Sequence, residues 1–363
     1  MDPLTHAASG AVAMLACQRR PMTAWAVPLA ALAAASPDID IAFASTPLDF
    51  LLLHRGITHS LAAVPLLGAL LAVLCWPLWR AATPGRWSFG RVWLFSCLMV
   101  LLHIWLDIIT TYGTMIFLPF SHERVRLNAV FIVDLLLTLP LLWALWRWRA
   151  RRGLLVLTLL WIFVYPSVAI GLNHWHSVQN MARLTDEGRE VQGLTVLPDA
   201  LAPFYWRLLY SEGDSVSEQS LDALGQPRSP AIAHPAAKPA ALTALAERST
   251  RCKAFFDFAL LPVTAPLPSA DAPATSGTTD REGRDTRLQL YHDLRFGSGL
   301  PWVRWLMAQR PDAAIPFQLM TETRGETLLR ERLRFSDSGR DSGWQPPRKP
   351  AAPGWADWLV GLY

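Results

Sequence analysis

The sequence predicts a mostly α membrane bundle of about five to six helices, followed by a small α+β or mainly β soluble domain. Three observations carry this. Apolar runs recur through residues 1–172, arginines cluster between those runs, and beyond Asn173 the chain turns richer in acidic residues, proline, alanine, serine and threonine. The expected division is therefore a polytopic membrane domain over 1–172 and a soluble domain over 173–363.

The opening run, Leu4 to Ala16, and the second, Ala24 to Ala35, are short and rich in alanine, which suits helices packed closely inside a bundle. Leu61 to Trp79 has the length of a full span, for which ~20 apolar residues suffice. Val92 to Pro119, Val130 to Trp146 and Leu154 to Leu172 follow as further runs. Threaded alternately through a bilayer, they put Arg19, Arg20, Arg80, Arg86, Arg91, Arg147, Arg149, Arg151 and Arg152 on one face, against Arg55, Arg124 and Arg126 on the other. The positive-inside rule makes the first face cytoplasmic, so the soluble domain is expected in the periplasm of a bacterial inner-membrane protein.

The net charge of +4 arises from these topological arginines, and the seventeen tryptophans read as interfacial anchors, so no nucleic-acid partner is expected. The four cysteines, Cys17, Cys75, Cys97 and Cys252, form neither a disulfide framework nor a zinc-finger spacing. No removable signal peptide is expected, since no basic segment precedes the first run. In the soluble domain, Leu194 to Leu197, Phe204 to Tyr210, Arg287 to Phe296, Ala314 to Thr323 and Thr327 to Phe335 read as strands, and Ala241 to Leu261 as helix. Residues 226–239 and 262–279 read as flexible Pro/Ala-rich insertions.

Ionisable side chains within membrane segments are costly and mark functional sites. Here His6 opens the first run, Asp38 and Asp40 close the second, and His54, Arg55 and His59 precede the third. His103 and Asp107, four apart, share one helix face, and ~1.5 Å per residue carries Asp107 ~24 Å from Arg91, level with the others. Gly56 is expected to bend the chain between His54 and His59, and Asp38 and Asp40, two apart, are expected on one side of an extended segment. Imidazole nitrogen and carboxylate oxygen without thiolate suit a divalent metal, with Zn²⁺ the expected ion and the ligand count sufficient for two. The expected ligands are His6, Asp38, Asp40, His54, His59, His103 and Asp107. Asp40 and Asp107 are candidate catalytic carboxylates, and Arg55 would hold an anionic substrate or developing charge. Thr58, Thr110 and Tyr112 are candidates to support the ligands.

Thr5-His6, Pro37-Asp38-Ile39-Asp40, His54-Arg55-Gly56-Ile57-Thr58-His59-Ser60, His103-Ile104-Trp105-Leu106-Asp107, Thr110-Thr111-Tyr112-Gly113-Thr114 and Phe131-Ile132-Val133-Asp134 together resemble the YdjM-like family of LexA-regulated, inner-membrane-associated, metal-dependent hydrolases. The resemblance covers most of residues 1–172, and Pro203 to Arg207 with Asp293 to Gly297 resemble the soluble part of longer members. Leu135 follows Asp134 where the family commonly has proline, a departure that bears on Asp134 alone. The resemblance implies a membrane hydrolase that uses divalent metal.

The function expected is thus a membrane-bound metal-dependent hydrolase acting on an ester or phosphoester of a lipid or membrane-associated substrate. An ion-coupled transporter would require polar residues at several depths, whereas these lie near one face. A non-enzymatic scaffold with a structural metal site is the remaining alternative; it differs in having a closed coordination shell.

Overall fold

A computed structural model describes residues 1–17, 25–82, 87–265, 267, 286–309, 317–335 and 341–350. Arg19, Arg20, Arg86, the start of the strand expected at 314–323 and most of the insertion expected at 262–279 lie outside the described residues.

Among the described residues eight helices form the amino-terminal region: α1 (Pro3–Cys17), α2 (Ala26–Ala35), α3 (Pro47–Leu53), α4 (Val64–Leu74), α5 (Trp76–Ala82), α6 (Phe89–Ile108), α7 (Leu135–Arg147) and α8 (Arg152–Asp186). A 3-10 segment, Ser36–Phe43, extends α2, and another, Ile57–His59, lies between α3 and α4. Among the described residues three segments are long and apolar enough to cross a membrane, namely Ala26–Phe43, α6 and α8. A fourth arises if Pro47–His59 and α4, bent by 83°, count as one broken span. This is fewer than the five to six expected from the sequence. Helices α1 and α7 are only 15 and 13 residues long. The run Leu61 to Trp79 is divided into α4 and α5, where Pro77 cannot donate the backbone bond that would continue one helix into the next.

Small residues set the packing. A Cβ on Gly10 would stand 2.3 Å from the Ala30 carbonyl oxygen, so α1 and α2 are in backbone contact. Two prolines inside apolar helices are compensated from neighbouring helices. Pro166 cannot bond the Ile162 carbonyl, which accepts instead from Trp105 Nε1 at 3.0 Å. Pro140 likewise frees the Leu136 carbonyl, which accepts from Trp161 Nε1 at 2.8 Å. In lipid no water would satisfy these oxygens, so each indole removes a cost and ties two helices together.

Helix α8 runs without a break past Leu172 to Asp186 and leads into the carboxy-terminal domain. That domain holds two four-stranded antiparallel sheets in sequential order, β1 (Gly193–Pro198) to β4 (Ile232–Pro235) and β5 (Pro262–Ala265) through β6 (Thr286–Asp293) and β7 (Phe317–Arg324) to β8 (Thr327–Phe335). The β2 strand is Trp206–Glu212 and β3 is Ser215–Leu221. Segment 226–239 is therefore not a free insertion, since β4 pairs with β3. The expected single helix over 241–261 is two, α9 (Pro239–Arg248) and α10 (Thr250–Phe258), because Ser249 caps the second by accepting from the backbone N–H groups of Arg251 and Cys252. A last short helix, α11 (Pro301–Ala308), follows β6.

The two sequence patterns singled out in this domain meet. Buried Arg207 pairs with Glu218 at 2.7 Å and donates to the carbonyls of Leu294 and Gly297 at 2.7 and 2.8 Å, which joins the sheets. Gly297 permits this, as a Cβ there would lie 2.8 Å from the guanidinium.

Candidate metal centre

All seven residues expected to bind metal gather at the end of the bundle where α6 stops. The α-helical spacing of His103 and Asp107 places Nε2 and Oδ2 3.4 Å apart. His103 Nδ1 donates to the Ala34 carbonyl at 2.7 Å, which leaves the Nε2 lone pair facing inward. His59 Nε2 lies 3.0 Å from that nitrogen, 3.2 Å from Asp107 Oδ2 and 3.5 Å from Asp38 Oδ1. Asp38, His59, His103 and Asp107 therefore form one group that could hold a metal ion, with two nitrogens and two oxygens as donors.

A second group, Asp38, Asp40 and His54, shares Asp38 with the first. His54 Nδ1 lies 3.0 Å from Asp40 Oδ1. The other Asp40 oxygen accepts from the Arg55 backbone at 3.0 Å and from the Thr58 hydroxyl at 3.1 Å, and it lies 3.3 Å from His59 Nδ1. Asp40 thus orients His54 and His59, in the way that carboxylates behind metal-binding imidazoles do. His6 falls outside both groups but lies 3.3 Å from Asp107 Oδ1 and stacks on His103 at 3.7 Å between ring centroids.

One local expectation is corrected and one refined. Asp38 and Asp40 lie on a 3-10 segment begun by Pro37, not on an extended one. Both carboxylates still reach the centre: Asp38 lies against His59 and His103, and Asp40 against His54 and the other nitrogen of His59. The sharp bend begins one residue before Gly56, at Arg55, which adopts a left-handed φ of 59°, and continues through Gly56, whose φ of −93° and ψ of −129° lie outside the α and β regions. Arg55 is held there by its backbone bond to Asp40 and by its guanidinium, 2.9 Å from Asp107 and 3.0 Å from Thr110 Oγ1. Gly56 serves close approach, since a Cβ would stand 2.8 Å from the Leu53 carbonyl oxygen.

The donor set fits a cation. Asp107 Oδ2 is buried and has no hydrogen-bond partner among the described residues, although two imidazole nitrogens lie close to it. Three carboxylates face one guanidinium and the amino group of Met1, which touches Asp107, and a divalent ion would offset the excess negative charge.

Tyr112 lies beneath Arg55, whose guanidinium carbon is 4.7 Å from the ring centroid. Burial pushes the Tyr112 phenol up to about 12, so it stays protonated. Sequence reasoning missed the cover over this residue. Phe258, Phe296 and Phe317 of the carboxy-terminal domain pack around Tyr112, and Arg295 donates to its backbone carbonyl at 2.8 Å. The Asp293 to Gly297 pattern marked Arg295 as notable without indicating that it reaches 183 residues back. Asp134 stays apart from the centre: it accepts from the Leu137 backbone at the start of α7 and from the Tyr165 hydroxyl at 2.9 Å.

Fold and site together define a helical membrane protein with a buried His/Asp cluster able to hold a metal ion. Residues 1–176 match the family model described as YdjM inner membrane protein, in agreement with the resemblance seen in the sequence. The family and the apolar helices support an inner-membrane location. The chain is also 32% identical over 132 residues to the uncharacterized protein YfhP of Bacillus subtilis (strain 168), a match that covers 36% of this chain and 39% of that protein. No solved structure matches the chain.

Proposed function

We propose that the amino-terminal region is a membrane-embedded, metal-dependent hydrolase that cleaves an ester or phosphoester of a lipid or membrane-associated substrate at the periplasmic face. The observation that carries this reading is the convergence of Asp38, His59, His103 and Asp107 at one end of the bundle, with Arg55 beside them. A divalent ion at such a site, with Zn²⁺ best suited to the donors, supplies Lewis acidity that acidifies water and polarises an ester or phosphoryl oxygen. Asp38 belongs to both groups and would be shared if two ions bind. With a single ion bound, its side chain, 16% exposed, is the ligand carboxylate most open to an entering water and keeps one oxygen free as general base. Arg55 is anchored through Asp107 and Thr110 and stacked on Tyr112, so it presents a fixed positive charge to the developing oxyanion.

The full burial of His59, His103 and Asp107 favours one alternative, a coordinatively closed structural site that clamps α1 and α2 into the bundle. Metal analysis of the purified protein beside His59→Ala and Asp107→Ala tests the site, and full metal retention by both variants would exclude it. Turnover of phosphoester and carboxyester lipids by the metal-loaded protein then separates enzyme from scaffold. Metal bound in full with no turnover of either class would favour the scaffold.

A further inference from the structure

Two elements of the carboxy-terminal domain carry an apolar surface for which the metal centre has no use. The loop at 199–205 exposes Leu201 and Phe204, and α11 exposes Trp302 and Trp305 at 51% and 64% while burying Val303. Trp302 and Trp305, three apart, lie on one side of that helix. Asp199 joins the two elements by accepting from the Ser298 hydroxyl at 2.6 Å and the Gly299 backbone at 2.7 Å. Leu201 has a left-handed φ of 69°, a costly conformation for a leucine that displays its side chain to the outside.

We propose that this surface is a second membrane contact, through which the carboxy-terminal domain rests on the leaflet nearest the metal centre and seats Leu201, Phe204, Trp302 and Trp305 at the headgroup boundary. The depth of the loop supports it. The 20 residues of α6 rise ~30 Å, the thickness of the hydrocarbon core. Trp105, near the end of α6, bonds Ile162 of α8, so Tyr165 stands level with that end. The Tyr165 hydroxyl, shared between the two acceptors Asp134 and Ala202, lies 2.9 Å from the Ala202 carbonyl oxygen. The loop therefore meets α8 where hydrocarbon gives way to headgroups, beside Val164 and Val168, which are exposed on the same helix. The apolar surface thus stands at the level of the lipid-facing belt, and the occupant that fits it is the same bilayer.

The composition of the surface suits that depth. Tryptophan concentrates at membrane interfaces, and a short helix with one apolar face lies in the interfacial plane. Between Leu201, Tyr205 and Trp302 is a cleft of about 400 Å³, also lined by Arg228, Arg304 and Glu218, the last paired with Arg207. The two arginines face the leaflet as phosphate-binding groups, favouring anionic headgroups.

The test uses the full chain in nanodiscs of phosphatidylethanolamine and phosphatidylglycerol, with the photo-crosslinking residue p-benzoyl-phenylalanine placed at Phe204, Trp302 or Trp305. Glu326, in the exposed turn between β7 and β8, gives the aqueous background. Illumination should yield phospholipid adducts at all three sites severalfold above the Glu326 level, with phosphatidylglycerol adducts enriched over its share of the bilayer at Trp302. Adduct yields no higher than at Glu326, or adducts to a second copy of the chain in place of lipid, would overturn the proposal.

Discussion

Trp105 donates its indole N–H to the Ile162 carbonyl at 3.0 Å, the oxygen that Pro166 leaves without its helical partner. The bond lies between His103 and Asp107 in sequence, so the helix that carries two metal ligands is fixed to the longest helix of the bundle. Trp105→Phe keeps the ring and removes the donor. Interhelical bonds in membranes contribute about 0.6 to 2 kcal/mol, and a loss of that order is expected in the stability of the detergent-solubilised protein, with metal content unchanged. Loss of metal would show that the bond also sets the ligand geometry.

Gly10→Ala should strike the centre from a distance. The added methyl would lie 2.3 Å from the Ala30 carbonyl oxygen and 2.6 Å from the Ala34 Cβ, and Ala34 is the residue whose carbonyl orients His103. Overpacking costs about 1–3 kcal/mol, and here the strain falls on backbone that has nowhere to go. Reduced thermal stability with weaker metal retention is expected. Gly90→Ala in α6 is the control, because nothing lies within 4 Å of its Cβ, and it should be neutral or slightly stabilising.

The carboxy-terminal domain should lose stability in acid through Glu218. Burial opposes its charge, but Arg207 and His234 outweigh burial and hold the carboxyl down at about 2, below its usual 4.5. A carboxylate depressed in the folded state stabilises fully above the unfolded value, and this contribution is lost as pH falls from about 4.5 towards 2. The shift corresponds to roughly 3 kcal/mol. Thermal melting between pH 6 and pH 3 should therefore steepen in the wild type, and Glu218→Gln should be less stable at pH 6 but lose less on acidification. Equal pH slopes in the two proteins would remove Glu218 from this account.

How much of this was legible follows from where the information lies. The ligands stood out because His6, Asp38, His59, His103 and Asp107 are ionisable residues in otherwise apolar sequence, where lipid makes each one expensive. Strand β8 was legible from alternation alone, and its expected limits, Thr327 to Phe335, are the observed ones. The number of spans was not, because hydropathy is blind to the break that Pro77 imposes and to the loss of Val130 to Asp134 from the start of α7. Nor were the pairings of Trp105 with Ile162 and Trp161 with Leu136, since side chain to backbone bonds between distant helices leave no periodic trace. The bend at Gly56 was legible from propensity, but its start at Arg55 was not, because tertiary bonds to Asp40 and Asp107 hold that residue in the left-handed region.

The cover over Tyr112 gives the last expectation. Arg295 is buried, pairs with Asp293 at 3.0 Å, and donates to the carbonyls of Tyr112 and Phe258 at 2.8 and 2.9 Å, so one side chain holds the carboxy-terminal domain against the residue beneath Arg55. Arg295→Ala would leave these carbonyls unpaired and the Asp293 charge without its cation, held only by the backbone N–H groups of Leu260, Leu261 and residue 295. Breaking a buried ion pair costs about 3–5 kcal/mol, enough to loosen the domain locally. Among the described residues, those that could hold metal lie between His6 and Asp107, so metal content should persist while limited proteolysis cleaves the carboxy-terminal domain faster. Turnover should change too, because Tyr112 would lose the contacts that keep its ring under the Arg55 guanidinium. If proteolysis, metal content and turnover all match the wild type, the carboxy-terminal domain has no part in holding the centre in shape.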